Sequence, residues 1–282
     1  MRLWQAAAAD EMISFIKEYL SVNEVGLAGS LLEPETLDVY SDVDLKVSLS
    51  GNTAVNMKQF VAELNEHFCG VFGYQTMYND DNDVLRICFD NGWRFDISFY
   101  YPQKPKPLLS ETAPSAPPAP PTPPAPSTPP APPAPSTRDD GFFDKIDSVV
   151  YEFWFISSMV LVKLGRGDYL IAAHLALELC RLTVVVQMLI RDEEKKTNIH
   201  RFGGREDVPV LRSLIPSAIH SDVPGDIPAQ HSNLPYNNKN EIIRVLFHAS
   251  GHMDKICADI QKDYIKRSDK LEAIYRALEL AP

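Results

Sequence analysis

The chain has 282 residues, 45% of them hydrophobic and 23% charged, an ordinary globular composition with room for two modest domains. Against 27 Lys and Arg stand 38 Asp and Glu, a formal net charge of -11 with no long basic stretch, which argues against wrapping a nucleic-acid backbone as the main task. Four scattered cysteines (Cys69, Cys88, Cys180 and Cys257) form no CxxC pair, which argues against a disulfide frame or a thiolate zinc site.

Taken in chain order, residues 5–20 carry helical periodicity through Met12, Ile13, Phe15, Ile16 and Leu20. EVGLAGS then reads as a strand ending in a Gly-Ser turn, and DVDLKVSL as a second strand. Residues 52–68 form an amphipathic helix with Val55, Phe60, Val61 and Leu64 on one side, and a strand follows over 71–78. The acidic turn NDDND leads into VLRICFD and WRFDISFY, joined through Asn91-Gly92, a hairpin signal. These elements predict a mixed sheet flanked by helices.

From 102 to 137 the chain is almost wholly Pro, Ala, Ser and Thr, a composition with nothing to bury, read as an extended linker. At roughly 3.1 Å per residue, some 30 residues reach about 90 Å. Its PxxP repeats also suit a partner's aromatic groove, although basic flanking residues are sparse. Beyond it the pattern is helical: 142–164 and 168–191, broken at Gly165-Arg166-Gly167, then a Pro-, Gly- and Asn-rich stretch, then 241–265 and 268–280. The expected fold class is therefore α+β. A mixed-sheet domain over 1–101 precedes a linker over 102–140 and a helical bundle over 141–282. The opening MRLWQAAAADEM lacks a signal-peptide pattern, and the apolar run 169–190 is interrupted by His174, Glu178, Arg181 and Gln187. A cytoplasmic protein with no membrane partner is the expectation.

The chemistry is concentrated in Gly29-Ser30, eleven further residues, and then Asp42-Val43-Asp44. Residues i and i+2 of a strand share a face, so Asp42 and Asp44 project side by side and repel unless a cation lies between them. Paired carboxylates of this kind suit the hard, oxygen-seeking Mg²⁺ with room left for phosphates. Gly29-Ser30 ends the preceding strand, where backbone N–H groups and a hydroxyl can hold a phosphate. Asp96 in WRFDISF alternates with Phe95 and Ile97, faces away from the apolar side, and can complete a two-metal site.

This pattern, GS…DVD followed by a later strand Asp, resembles the signature of the nucleotidyltransferase (DNA polymerase β-like) superfamily. YEFWFISSMVLVKLGRGDYLIAAHLALELCRL and TNIHRFGG resemble the helical domain of the antibiotic nucleotidyltransferases, of the aminoglycoside and lincosamide kind. The resemblance implies that Asp42 and Asp44 bind two Mg²⁺ ions, that Asp96 completes the site or takes the acceptor's proton, and that Gly29 and Ser30 bind the triphosphate of ATP or another NTP. The activity implied is transfer of NMP, AMP in the first instance, to a hydroxyl of a small-molecule acceptor, with pyrophosphate released. In some relatives the site is shared between subunits, so a homodimer is compatible. One departure stands out: the segment from Leu31 to Ser41 lacks the basic residue often found there, which leaves the triphosphate's charge to the metal and to residues elsewhere, Lys46 or Arg94.

On the helix over 168–191, His174, Glu178 and Arg181 fall at i, i+4 and i+7, one face of an otherwise apolar helix. His174 and Glu178 are candidate acceptor contacts; an internal Glu178–Arg181 pair on an exposed face is the alternative. His200-Arg201 can reach a nucleotide, close the domain interface, or serve only as loop. His248 and His252 have the spacing of a helical zinc pair but lack the intervening Glu and a third ligand. Trp93, Trp154 and Phe155 read as core aromatics, and Asn79–Asp83 as a solvated turn. Two other readings compete: nucleotidylation of a protein or RNA, for which the net charge is unhelpful, and a catalytically idle scaffold, which three convergent carboxylates argue against.

Overall fold

The computed structural model describes residues 4–33, 35, 37–51, 54–68, 70–102, 140–196 and 239–279. The proline-rich tract, Cys69 and His200-Arg201 lie outside the described residues.

Helix α1 (Trp4–Tyr19) sets Ala8, Met12, Phe15 and Ile16 on one buried face. Strand β1 (Val22–Ala28) runs into a single 3-10 turn (Gly29–Leu32), and β2 (Val43–Leu49) alternates buried Val43, Leu45, Val47 and Leu49 with less buried Asp44 and Ser48 and exposed Lys46. Helix α2 (Met57–His67) starts later than its periodicity suggests, because the Asn56 side chain accepts from the Gln59 N–H and caps it there. β3 (Val71–Tyr78), β4 (Asn82–Phe89) and β5 (Arg94–Tyr100) follow, with Asn91 Oδ1 accepting from Trp93 N in the β4–β5 turn.

The five strands order as β1-β2-β5-β4-β3. All pairings are antiparallel except β2 with β5, so the sheet is mixed. One face is packed by α1 and α2 around Val43, Leu45, Val47, Leu85, Ile87, Phe95, Ile97 and Phe99. Phe60 of α2 meets Phe99 edge to face at 5.5 Å. The other face carries the polar positions of the same strands.

The helical half comprises α3 (Asp140–Gly165), α4 (Tyr169–Lys195), α5 (Lys239–Ile260) and α6 (Ser268–Glu279). Their core holds Phe153, Trp154, Val160, Leu179, Val186, Leu246, Met253 and Leu271, and extends to Phe72 and Cys88 of the sheet. Helix α3 lies directly on β3: a Cβ added to Gly73 would stand 2.2 Å from the backbone nitrogen of Phe155. By length and hydropathy alone α3 and α4 could each cross a membrane, α4 despite its polar residues; in the structure 61% and 44% of those apolar windows are buried by protein. Helix α5 ends at Ile260, five residues short of the expected 265, because buried Asp254 draws the chain back. Its carboxylate accepts from the Tyr264 hydroxyl (2.9 Å) and from the backbone N–H groups of Arg267 and Ser268 (both 3.0 Å), opening α6. The protein is α+β: a mixed five-stranded sheet followed by helices.

Candidate active site

Strand pairing brings the singled-out residues together. Ala28 of β1 is opposite Asp44 of β2, Asp44 opposite Asp96 of β5, Asp96 opposite Arg86 of β4, and Arg86 opposite Gln75 of β3. Directly paired residues share a face, so one row runs across all five strands with two carboxylates adjacent at its centre. Asp42, two residues before Asp44, lies close enough to raise the proton affinity of both Asp44 and Asp96.

Gly29 follows Ala28 with φ at 61°, a left-handed conformation that favours glycine, and it lies against Asp44: a Cβ there would sit 1.9 Å from Asp44 Oδ2. No other residue type lets the turn approach the carboxylate so closely. The next residue, Ser30, has its Oγ buried with no hydrogen-bond partner among the described residues. An unpaired buried hydroxyl costs about 1–3 kcal/mol, which a ligand's acceptor oxygen would recover.

Burial, reinforced by the charges of Asp42 and Asp44 and opposed by Arg86, pushes the Asp96 carboxyl up to about 6. Burial and Asp42 raise Asp44 as well. Arg86 Nε donates to Asp96 Oδ2 at 2.9 Å, and its guanidinium stands 5.4 Å above the ring centroid of Phe155 on α3. Sequence reasoning missed Arg86, whose signal was a lone cation on the polar parity of a strand otherwise built of Leu85, Ile87 and Phe89; its partner depends on a strand order no local pattern gives. Among the described residues no three His, Cys, Asp or Glu side chains group closely enough to hold a metal by themselves. Arg86 of β4 occupies one oxygen of Asp96. The donor chemistry of Asp42, Asp44 and Asp96, with the Gly29 cradle and the orphaned Ser30 hydroxyl beside them, fits a hard cation that takes its remaining ligands from phosphates.

His174 and Glu178 are on α4, apart from this row. His174 is exposed, and Glu178 accepts from Arg181 Nε at 2.7 and 2.8 Å, the internal pair that was the alternative reading. A polar route nonetheless leads toward them: Gln75 Nε2 donates to Glu152 Oε1 of α3 at 3.0 Å, and the Glu152 charge reaches Arg181. Of the two cations offered for the triphosphate, Lys46 is exposed, on the same face as Asp44. Arg94 is not available for that task. It is 3% exposed and donates to the Tyr40 and Gly92 carbonyl oxygens. His252 Nε2 is 3.2 Å from Gln187 Nε2, and no zinc cluster forms around it among the described residues. Trp154 and Phe155 are core residues as expected, and Trp93 stacks on Trp4. Cys88, Cys180 and Cys257 are buried free thiols.

No family model matches the chain, and no curated protein matches it. Among solved structures, an aminoglycoside 6-adenyltransferase from Bacillus subtilis is similar at 13% identity and a TM-score of 0.32, over 96% of this chain and 97% of that one. A likeness at that level carries no functional weight.

Proposed function

We propose that this chain is a nucleotidyltransferase that moves NMP from an NTP, ATP in the first instance, to a hydroxyl of a small molecule. The observation that carries the reading is the in-register pairing of Asp44 with Asp96 beside the Gly29-Ser30 turn, whose buried hydroxyl has no protein partner among the described residues. Asp42, Asp44 and Asp96 would hold magnesium, which when bound supplies Lewis acidity and neutralises charge on the phosphates. Ser30 Oγ and the backbone at Gly29 would take phosphate oxygens. The acceptor oxygen bonds to the α-phosphorus, the bond from that phosphorus to the bridging oxygen of the β-phosphate breaks, and pyrophosphate leaves. The acceptor proton would pass to Asp96, the carboxylate directly opposite Asp44. Arg86 keeps one oxygen of that carboxylate oriented.

An aminoglycoside or lincosamide antibiotic is the acceptor class we propose, on the strength of the sequence resemblance of the helical half. Glu178, His174 and Glu152 would form its wall. The test is pyrophosphate release from ATP and Mg²⁺ across a panel of both drug classes, with Asp44→Asn as control. Drug-dependent release that falls about a thousandfold or more in the variant is expected, the order of loss seen when a transition-state charge loses its support. Full activity in Asp44→Asn would sink the site.

A further inference from the structure

The four residues before Asp42 are held from several directions. Every backbone carbonyl from Asp38 to Ser41 accepts a side-chain hydrogen bond. Gln5 Nε2 donates to Asp38 O (2.7 Å) and Ser41 O (3.1 Å), Trp4 Nε1 to Val39 O (3.3 Å), and Arg94 Nη2 to Tyr40 O (2.6 Å). Those donors come from α1 and β5, within the sheet half. The side chains of the segment are held instead from the helical half. Arg166, in the connection between α3 and α4, places Nε 3.0 Å from Asp38 Oδ2 and Nη2 2.8 Å from Asp38 Oδ1, a two-pronged pair, with Nη2 also 3.2 Å from Ser41 Oγ. Asp38 in turn accepts from Tyr40 N and from Ser41 Oγ, both at 2.9 Å. The Tyr40 ring lies over Gly165, where a Cβ would be 2.3 Å from its Cε1.

A partly exposed ion pair of this kind, with side chains 34% and 43% accessible, adds little to stability and buries no core. Its position is more informative. It grips the residues adjoining Asp42, and it is a grip of the helical half on that segment, delivered to a stretch with no cation of its own. We propose that Arg166 is a positioning residue for Asp42: through Asp38 and Ser41 it sets where the Asp42 carboxylate stands relative to Asp44, and so couples the helical half to metal–nucleotide binding. The inference rests on the reading of Asp42 and Asp44 as ligands of the metal–nucleotide.

The experiment is Mn²⁺ binding in the presence of ATP, followed by electron paramagnetic resonance, alongside thermal unfolding of each variant. Wild type, Asp44→Asn, Arg166→Ala, Asp38→Ala and the Asp38→Ala/Arg166→Ala double variant are compared. Arg166→Ala should weaken Mn²⁺ binding about tenfold or more, the usual scale for losing a residue that orients a metal ligand, with the unfolding midpoint little changed. Asp38→Ala should match it, and the double variant should be no worse than either single one, because the two act as one unit. Unchanged Mn²⁺ binding in Arg166→Ala overturns the proposal. So do additive losses in the double variant, which would make Arg166 a direct contact of the nucleotide. Should Arg166→Ala not fold, Arg166→Lys, which keeps the charge and loses the fork, is expected to show a several-fold loss, and none would overturn the proposal equally. Wild-type binding that does not depend on Asp44 would overturn the nucleotidyl-transfer reading and this inference with it, an outcome distinct from an effect of Asp44 without one of Arg166.

Discussion

The same face of one sheet is treated in two ways. Toward β3 and β4 its polar groups are closed off: Gln75 is bonded to Glu152, Arg267 Nη1 donates to the Phe72 carbonyl at 2.8 Å, and α3 is seated against Gly73. Toward β1, β2 and β5 they are left in tension: burial and the Asp42 charge raise the proton affinity of Asp44 and of Asp96, and Ser30 Oγ meets no protein partner among the described residues. That unevenness is what the proposed binding of a metal–nucleotide at the second half would explain. Arg86, between the two halves, belongs to both, bonded to Asp96 and lying over Phe155.

The contrast can be broken from the closed side. Gly73→Ala places a methyl 2.2 Å from the backbone of α3, which has no flexible end to move aside. Unfolding free energy should drop by about 3 kcal/mol in chemical denaturation, at the upper end of overpacking effects. A loss within error would show that α3 is not seated there. The open side should respond in the opposite sense. Ser30→Ala removes a buried hydroxyl that costs about 1–3 kcal/mol when unpaired, so the midpoint should hold or rise while the KM for ATP rises about tenfold. A destabilised variant with normal KM would make Ser30 a structural residue.

The smallest effect expected is in pH. A carboxyl raised in the folded state destabilises it fully above its folded value of about 6, and that penalty is relieved as pH falls from there toward the unfolded value, 3.8. Without divalent ions, wild type should therefore gain about 1 kcal/mol on Asp96→Asn between pH 7.5 and 5. Denaturant titrations of wild type and Asp96→Asn at the two pH values read this difference directly, and an unchanged gap would place the Asp96 carboxyl in the ordinary range.

The carboxylates and the Gly-Ser turn were legible because alternation along a strand is a local property: Asp44 between Val43 and Leu45, and Asp96 between Phe95 and Ile97, could face only away from the apolar side. Their adjacency was not legible, because β5 reaches β2 only after two intervening strands and a helix. The same limit hid Arg86 and misassigned Arg94, which has the parity of Asp96 but is covered by the segment at Tyr40. The hairpin at Asn91-Gly92 and the breaks at Gly165 and Gly167 were read correctly from short-range turn chemistry. The end of α5 was not, because Asp254 stops that helix by bonding to residues ten to fourteen positions later.

The parallel pairing of β2 with β5 also has a consequence for how the chain is made. β4 and β5 can zip together as a hairpin with little loop closure, whereas Asp44 meets Asp96 only across the whole of α2, β3 and β4, a slow, non-local step. During synthesis the row that pairs Asp44 with Asp96 cannot form until β5 has left the ribosome and found β2. A chain stopped before residue 94 would carry β2 as a bare edge, with a pair of aspartates and nothing to complete them.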